Sequence, residues 1–297
     1  KFANKKKYEQ IKKNIAINKK IKIFKTDFEK KILKIQEIIK NHKNISFLHS
    51  GHLGDVINAL PVIKELSKSH DCKLYLQSNK PLEKHVLGYK HPKDNIYMSD
   101  KMVDMLLPLL KSQIYIKDVQ KYNNQEIDIN FDLFRKMPMD FNLDEVRWYF
   151  HLTGVHTDLT VPYLDVKPNI KIKDKVVIMR STRRKNLLIN YKFMNNYKNI
   201  IFIGLSEEYE DLKKEVTNLE FYECKDFLEV AEIIKSSKFF LGNSSFGFTI
   251  AEGLKVPRLM ESFPDYPSVY PNGGHGYDFY FQDHLEKWFD YLYNLKN

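Results

Sequence analysis

The sequence predicts an α/β protein built as two domains of parallel sheet, and three observations carry that prediction. The chain has 297 residues, enough for two domains that each bury a core without staples. From residue 45 onward, short apolar runs alternate with amphipathic stretches, the pattern of strands joined by crossover helices. That alternation stops once, at a connector around residues 162–174 carrying Pro162, Pro168, Lys171 and Lys173, and then restarts.

The first 44 residues form a separate, helical element without glycine, whereas all eleven glycines lie at or after Gly51. Thr26 and Glu29 have capping-box spacing, and Phe28, Ile32, Ile35 and Ile39 follow at helical intervals, so this helix should lay one apolar face on the body. Periodicity over residues 3–20 is weaker, which suggests fraying. In the first domain the runs at 45–49, 72–77, 95–98, 113–116 and 127–130 read as strands, and 55–68, 100–110 and 143–152 as helices. In the second domain the strands are 176–179, 199–204, 219–222, 238–241 and 258–261, with helices at 207–216, 226–236 and 246–254. Residues 283–295 place Leu285, Trp288, Phe289 and Leu292 on one face and read as a helix packing back across the domain junction. The expected organisation is an arm at 1–44, domains at 45–165 and 166–280, and a final helix at 281–297.

The formal charge of +10 is local. Residues 1–44 carry 15 lysines against four acids, a sum of +11, so the remainder sums to −1. A nearly neutral body excludes a nucleic-acid groove in the main fold and leaves two readings of the arm, a solvated helix or one that touches an anionic surface. Cys72 and Cys224 are the two cysteines, far apart and in no metal-like spacing, which excludes a disulfide framework and a cysteine zinc site and fits a reducing compartment. No stretch of about 18 apolar residues occurs, and the lysine-rich start lacks the apolar segment of a signal peptide. The expected location is the cytoplasm, with a peripheral contact on the inner membrane face if the arm binds there.

Two open α/β domains joined by a linker face a cleft at the carboxyl ends of their strands, so the chemistry belongs in the loops that follow strands. Three such loops stand out. After the first strand comes Ser50-Gly-His-Leu-Gly-Asp55, where Gly51 and Gly54 allow close backbone approach and Asp55 is either a helix cap or a carboxylate facing the cleft. On spacing alone the cap comes first. His52 is the better placed of two histidines for holding an acceptor or phosphate, and His49, at a strand end, suits burial. After the first strand of the second domain, Arg180, Arg183, Arg184 and Lys185 crowd one loop, a composition suited to a diphosphate. The third loop, Gly242-Asn-Ser-Ser-Phe-Gly-Phe-Thr249, opens a helix and offers Asn243, Ser244, Ser245 and backbone N–H groups to an anion.

Gly51-His-Leu-Gly-Asp55 with Pro61 following resembles the amino-terminal motif of the ADP-heptose:lipopolysaccharide heptosyltransferases, glycosyltransferase family 9. The segment from Gly242 to Pro257 resembles, without a gap, that family's donor motif Gly-Asn-Asp-Ser-Gly-x-x-His-x-Ala-Ala-Ala-x-Gly-Val-Pro. Ser244 stands where the family has Asp, Phe246 where it has Gly, Thr249 where it has His and Glu252 where it has Ala. Phe246-Gly-Phe-x-x-x-Glu252 also resembles the donor motif of retaining enzymes of the same architecture, in which the Glu holds the nucleotide ribose. The resemblance implies a GT-B fold of two Rossmann-like domains and metal-independent, inverting transfer from a nucleotide-sugar to a glycan or lipid-linked glycan. It implies Asp55 as the base, with Gly51, His52 and Gly54 on the acceptor side. Arg180, Arg183, Arg184, Lys185, Asn243, Ser244 and Ser245 would hold the diphosphate and Glu252 the ribose, with no cofactor, no metal and no nucleic-acid partner. Two alternatives stay open: a sugar-nucleotide epimerase or hydrolase on the same scaffold, and a catalytically inactive glycan- or nucleotide-binding protein.

Overall fold

A lysine-rich helix, α1 (Phe2–Ile23), passes through a π-helical turn at Phe24–Phe28 into α2 (Glu29–Asn41). The computed structural model describes residues 2–82, 95–138, 144–263 and 268–296. The capping box expected at Thr26 does not form. Its hydroxyl donates to the Lys22 carbonyl at 2.8 Å, so the helix runs on through a bulge instead of starting there. The expected apolar face does dock: Phe28, Ile35 and Ile38 are buried, and Ile32 and Ile39 pack against the same core. Every residue from Asn4 to Lys19 is exposed.

The described residues of the first domain form a parallel sheet in the order β3-β2-β1-β4, made of β1 (Asn44–His49), β2 (Asp71–Leu76), β3 (Asp118–Lys121) and β4 (Ile129–Asn130). Helix α3 (Leu53–Leu66) joins β1 to β2, α4 (Asp100–Lys111) precedes β3, and α5 (Val146–Thr153) follows β4. Two expected strands are absent. Ile96 makes only an isolated bridge to Pro81, and residues 113–116 form a turn ahead of β3. Gln113 in that turn instead clamps the connector, donating to the Asp165 carbonyl at 3.1 Å and accepting its N–H at 2.9 Å. Leu143, the expected start of the third helix, lies outside the described residues.

The second sheet is also parallel, in the order β10-β9-β8-β5-β6-β7. Its strands are β5 (Val176–Met179), β6 (Ile200–Ile203), β7 (Glu220–Tyr222), β8 (Phe239–Asn243), β9 (Arg258–Glu261) and β10 (Gly276–Phe279). Helices α6 (Ser206–Lys213), α7 (Phe227–Ser236) and α8 (Phe246–Leu254) cross between them. Period-two alternation divides the sheet's side chains. Val177, Ile201, Ile203 and Phe240 join one continuous core with Ile45, Phe47 and the helices of the first domain, while Val176, Ile178, Phe202 and Leu241 face the other way. The last helix, α9 (Gln282–Asn294), covers that other face. Leu285, Phe289 and Leu292 are buried in a cluster drawn wholly from the second domain, so α9 does not cross the junction as expected. The reason is that the second sheet otherwise leaves this apolar face bare.

Chain order sets where ligands can enter. In the first sheet the chain runs outward from β1 to β2 and β3, then returns to place β4 on the other side of β1. In the second, it runs from β5 to β6 and β7, then places β8 on the other side of β5. Each reversal opens a crevice between the loops after two adjacent strands. Those loops are the turn at residues 50–52 and the 3-10 helix Phe131–Lys136 in the first domain, and residues 180–185 and 244–245 in the second.

Phe289 meets Phe193, Phe239 and Tyr197 edge-on with ring centroids 5.2, 5.1 and 4.7 Å away. Phe289→Ala is expected to cost about 3–5 kcal/mol in urea unfolding. A loss below about 1 kcal/mol would mean that α9 does not seal this face.

Candidate active site

The first crevice is built on buried polar contacts. Ser50 donates its backbone N–H to Asp132 at 3.0 Å and its hydroxyl to the same carboxylate, and Lys80 reaches Asp132 at 2.8 Å. His49 is fully buried, and its Nδ1 accepts the Gly51 N–H at 2.9 Å. The proton therefore sits on Nε2, which faces the Tyr149 hydroxyl at 2.8 Å, and that hydroxyl donates to the Asp55 carbonyl at 2.9 Å. Burial pushes the His49 pKa down to about 4, so the ring is neutral near pH 7 and acts as a fixed strut. Gly51 is required by proximity, since a Cβ there would run into Arg135, Asp55 and His49.

Asp55 is 6% exposed and does two jobs at once. Its carboxylate accepts the His52 N–H at 2.9 Å, capping α3, and forms an ion pair with Arg135. The Arg135 guanidinium lies between the rings of Tyr97 and Phe134, 4.4 and 4.3 Å from their centroids. Burial alone would raise the Asp55 carboxyl. The charge of Arg135, then His52 and a hydrogen bond from Glu145, outweigh it and bring the pKa down to about 2. Glu145 moves the other way: burial, then the Asp55 charge and a hydrogen bond with Asp55, push its pKa well above the usual carboxyl range. Asn58 Nδ2 donates to Glu145 Oε2 at 3.0 Å and fixes that carboxyl group in place. Burial also lowers His52, whose ring meets Tyr97 edge-on at 5.0 Å.

The second crevice is locked by Asn243, which donates to the Ser181 carbonyl at 2.6 Å and accepts the Ser181 N–H at 3.1 Å. Arg184 bonds the Ser244 carbonyl and hydroxyl and reaches the Ser268 hydroxyl at 2.7 Å. Arg183 beside it is exposed. Ser245 stands at the N-cap of α8, and among the described residues its buried hydroxyl oxygen has no hydrogen-bond partner. The two crevices meet. The charge of Arg183 is felt at His52 and that of Arg184 at Glu145, the Glu145 N–H donates to the Ser268 carbonyl at 3.1 Å, and Gly54 abuts Thr249 of α8.

Gly51, His52, Gly54, Asp55, Arg183, Arg184, Asn243, Ser244 and Ser245 therefore gather at one junction. Three expected ligand-binding residues are turned elsewhere. Arg180 forks onto the fully buried Glu261, at 2.5 and 2.9 Å, and stacks on Tyr191. Lys185 pairs with Asp211. Glu252 pairs with Lys255 and with Arg258 at 2.6 Å and accepts the Asn272 N–H, so both its oxygens are occupied away from a ribose. For Arg180 and Glu252 the partner is a buried opposite charge within the domain, and for Lys185 it is the half-buried Asp211. Sequence reading also overlooked Asp132, Arg135, Glu145 and Tyr149. The first two sit in the loop after β4, where the same search of loops following strands would have found them. No motif marks the other two. Among the described residues, no group of three or more His, Cys, Asp or Glu side chains is arranged to hold a metal ion.

Two outcomes test these electrostatics. The His49 ring should keep its neutral Nε2–H form in 15N NMR down to about pH 5, and a midpoint near 6.5 would contradict its burial. Because Asp55 and His49 both have lowered pKa values, their stabilisation is present above about pH 3.8 and 6.5 respectively, and is lost as pH falls through about 2 and about 4. Arg135→Met strands the Asp55 charge and should cost about 3–5 kcal/mol in urea unfolding at pH 7, and that gap to the parent should narrow as pH falls, because burial then raises the Asp55 carboxyl and a proton neutralises it. An unchanged midpoint would mean that the pair carries no net weight.

No protein-family model matches this chain, and no curated protein sequence matches it. Its backbone does match solved structures. The E. coli ADP-heptose lps heptosyltransferase II superposes with a TM-score of 0.54 at 10% identity, over 84% of this chain and 98% of that one. The E. coli heptosyltransferase WaaC with ADP-2-deoxy-2-fluoro heptose superposes with a TM-score of 0.50 at 11% identity, over 84% and 99%. With two parallel sheets meeting at their carboxyl ends, this chain has the GT-B fold seen in those heptosyltransferases.

Proposed function

We propose that the protein is a glycosyltransferase of the family 9 type, which moves a sugar from a nucleoside-diphosphate sugar to a hydroxyl of a glycan or lipid-linked glycan, with inversion and without a metal ion. One observation carries the reading: the loops of the two domains meet at one place, where Arg184 reaches the Ser268 hydroxyl at 2.7 Å, the Glu145 N–H donates to the Ser268 carbonyl at 3.1 Å, and Gly54 of the carboxylate turn lies beside Thr249 of α8. A fixed carboxylate facing a cationic loop suits an in-line displacement.

In this reading the acceptor oxygen attacks the anomeric carbon as its bond to the diphosphate oxygen breaks. The hydroxyl proton passes to Asp55, and the bond's electron pair leaves with the diphosphate. Arg135 keeps Asp55 ionised, and Glu145 beside it, its pKa raised by burial and by the Asp55 charge, holds its proton more tightly than an ordinary carboxyl. Arg183, Arg184, the Ser245 hydroxyl and the N-terminal N–H groups of α8 stabilise charge on the departing diphosphate, with Asn243 and Ser244 holding that cradle in shape. Arg180 acts from behind, tying β5 to β9 through Glu261. The glycan made would belong to lipopolysaccharide or another surface polymer.

The test is calorimetry with ADP, GDP, UDP and CMP, followed by transfer assays with the corresponding sugar donor in EDTA. One nucleotide should bind, and transfer should survive chelation. Asp55→Asn should lower transfer by about 10²–10⁴-fold while nucleotide affinity stays within about threefold. Arg184→Met should weaken nucleotide binding by about tenfold or more. Turnover of folded Asp55→Asn close to the parent's would remove Asp55 from the base role, and failure of all nucleotides to bind would remove the reading.

A further inference from the structure

Helix α1 is left over by the chemistry above. It carries Lys5, Lys6, Lys7, Lys12, Lys13, Lys19, Lys20 and Lys22 against a single acid, Glu9. Side chains seven apart share a face of a helix, so Lys5, Lys12 and Lys19 form one stripe and Lys6, Lys13 and Lys20 a second beside it. Isoleucines flank this band. Tyr8, Ile11 and Ile15 run along one side and Ile17, Ile21 and Phe24 along the other, all exposed, with Tyr8 at 63% and Ile15 at 64%. An isolated helix of this kind gains nothing by exposing six large apolar groups to water.

We propose that α1 docks the enzyme onto an anionic lipid bilayer, with the lysine band on headgroup phosphates and the flanking isoleucines in the acyl boundary. Charge and apolarity together choose this occupant. A second copy of α1 would bring a band of the same sign against the first, and self-association would set lysine against lysine. A nucleic acid would satisfy the lysines but offers no hydrocarbon phase for Ile11, Ile15, Ile17 and Ile21. A bilayer surface supplies both. No helix among the described residues is long and apolar enough to cross a membrane, so the contact is one of surface and not of span. The proposal does not depend on the glycosyl-transfer reading.

The experiment is vesicle sedimentation of the full chain, with phosphatidylcholine alone or with about 30% phosphatidylglycerol, from about 50 mM to about 500 mM salt. The parent should bind the anionic vesicles at low salt, bind the neutral ones at least about tenfold less, and be released at high salt. Changing Lys5, Lys6, Lys12, Lys13 and Lys19 to Gln should lower the partition coefficient at least about tenfold, and Ile11→Ser with Ile15→Ser and Ile21→Ser at least about threefold. Circular dichroism confirms that both variants keep their helix content. Three results would each overturn the proposal: equal binding by parent and lysine variant, tighter binding to a single-stranded RNA oligonucleotide than to the vesicles, or an α1-dependent dimer in sedimentation velocity.

Discussion

The ion pair between Asp55 and Arg135 is the contact on which the site depends. It joins the loops after β1 and β4 across the reversal in the first sheet, so two adjacent strand ends are held at fixed separation. Buried ion pairs hold only when their remaining hydrogen-bonding capacity is met. Here the Asp55 carboxylate also accepts the His52 N–H, Glu145 lies beside it, and two aromatic rings lie against the guanidinium. The cap and charge readings of Asp55, which compete on the sequence, coincide in the structure because the cap uses one lone pair and leaves the charge in place.

The second domain repeats the device with different chemistry. Asn243 ties the loop after β5 to the end of β8, and Arg184 carries the link to Ser268, whose carbonyl receives the Glu145 N–H of the first domain. The connector adds to this, since the N–H groups of Tyr163 and Leu164 both donate to the Gly253 carbonyl at the end of α8. The two sheets are thus joined by a shared core and a string of hydrogen bonds running past the charged groups.

Much of the fold is legible in the sequence where local pattern and tertiary role agree. The bounds of β5, α8 and β9 follow from apolar runs closed by Arg180, Ser245 and Pro257. Legibility fails where a contact lies outside the local window. The π-helical turn is invisible because Thr26 has the spacing of a cap but finds the Lys22 carbonyl. The side chains of β10 alternate too weakly to mark a strand. The amphipathic face of α9 says that it packs, not on which sheet. The same limit governs the site. Types and positions of Asp55, Arg184 and Ser245 can be read from loops that follow strands, but a buried partner such as Glu261 for Arg180, or Arg258 for Glu252, is set by the fold. A basic or acidic residue next to a crevice is therefore a candidate for either role until its partner is known.

The central claim is that one crevice holds a fixed carboxylate on one wall and a diphosphate cradle on the other. A crystal structure with the nucleoside diphosphate that binds tests it most directly. The account expects the diphosphate oxygens within hydrogen-bond distance of Arg184 and the Ser245 hydroxyl, with the Asp55 carboxylate facing them across the cleft. Density for the nucleotide on another surface, or a diphosphate held by neither residue, would contradict it.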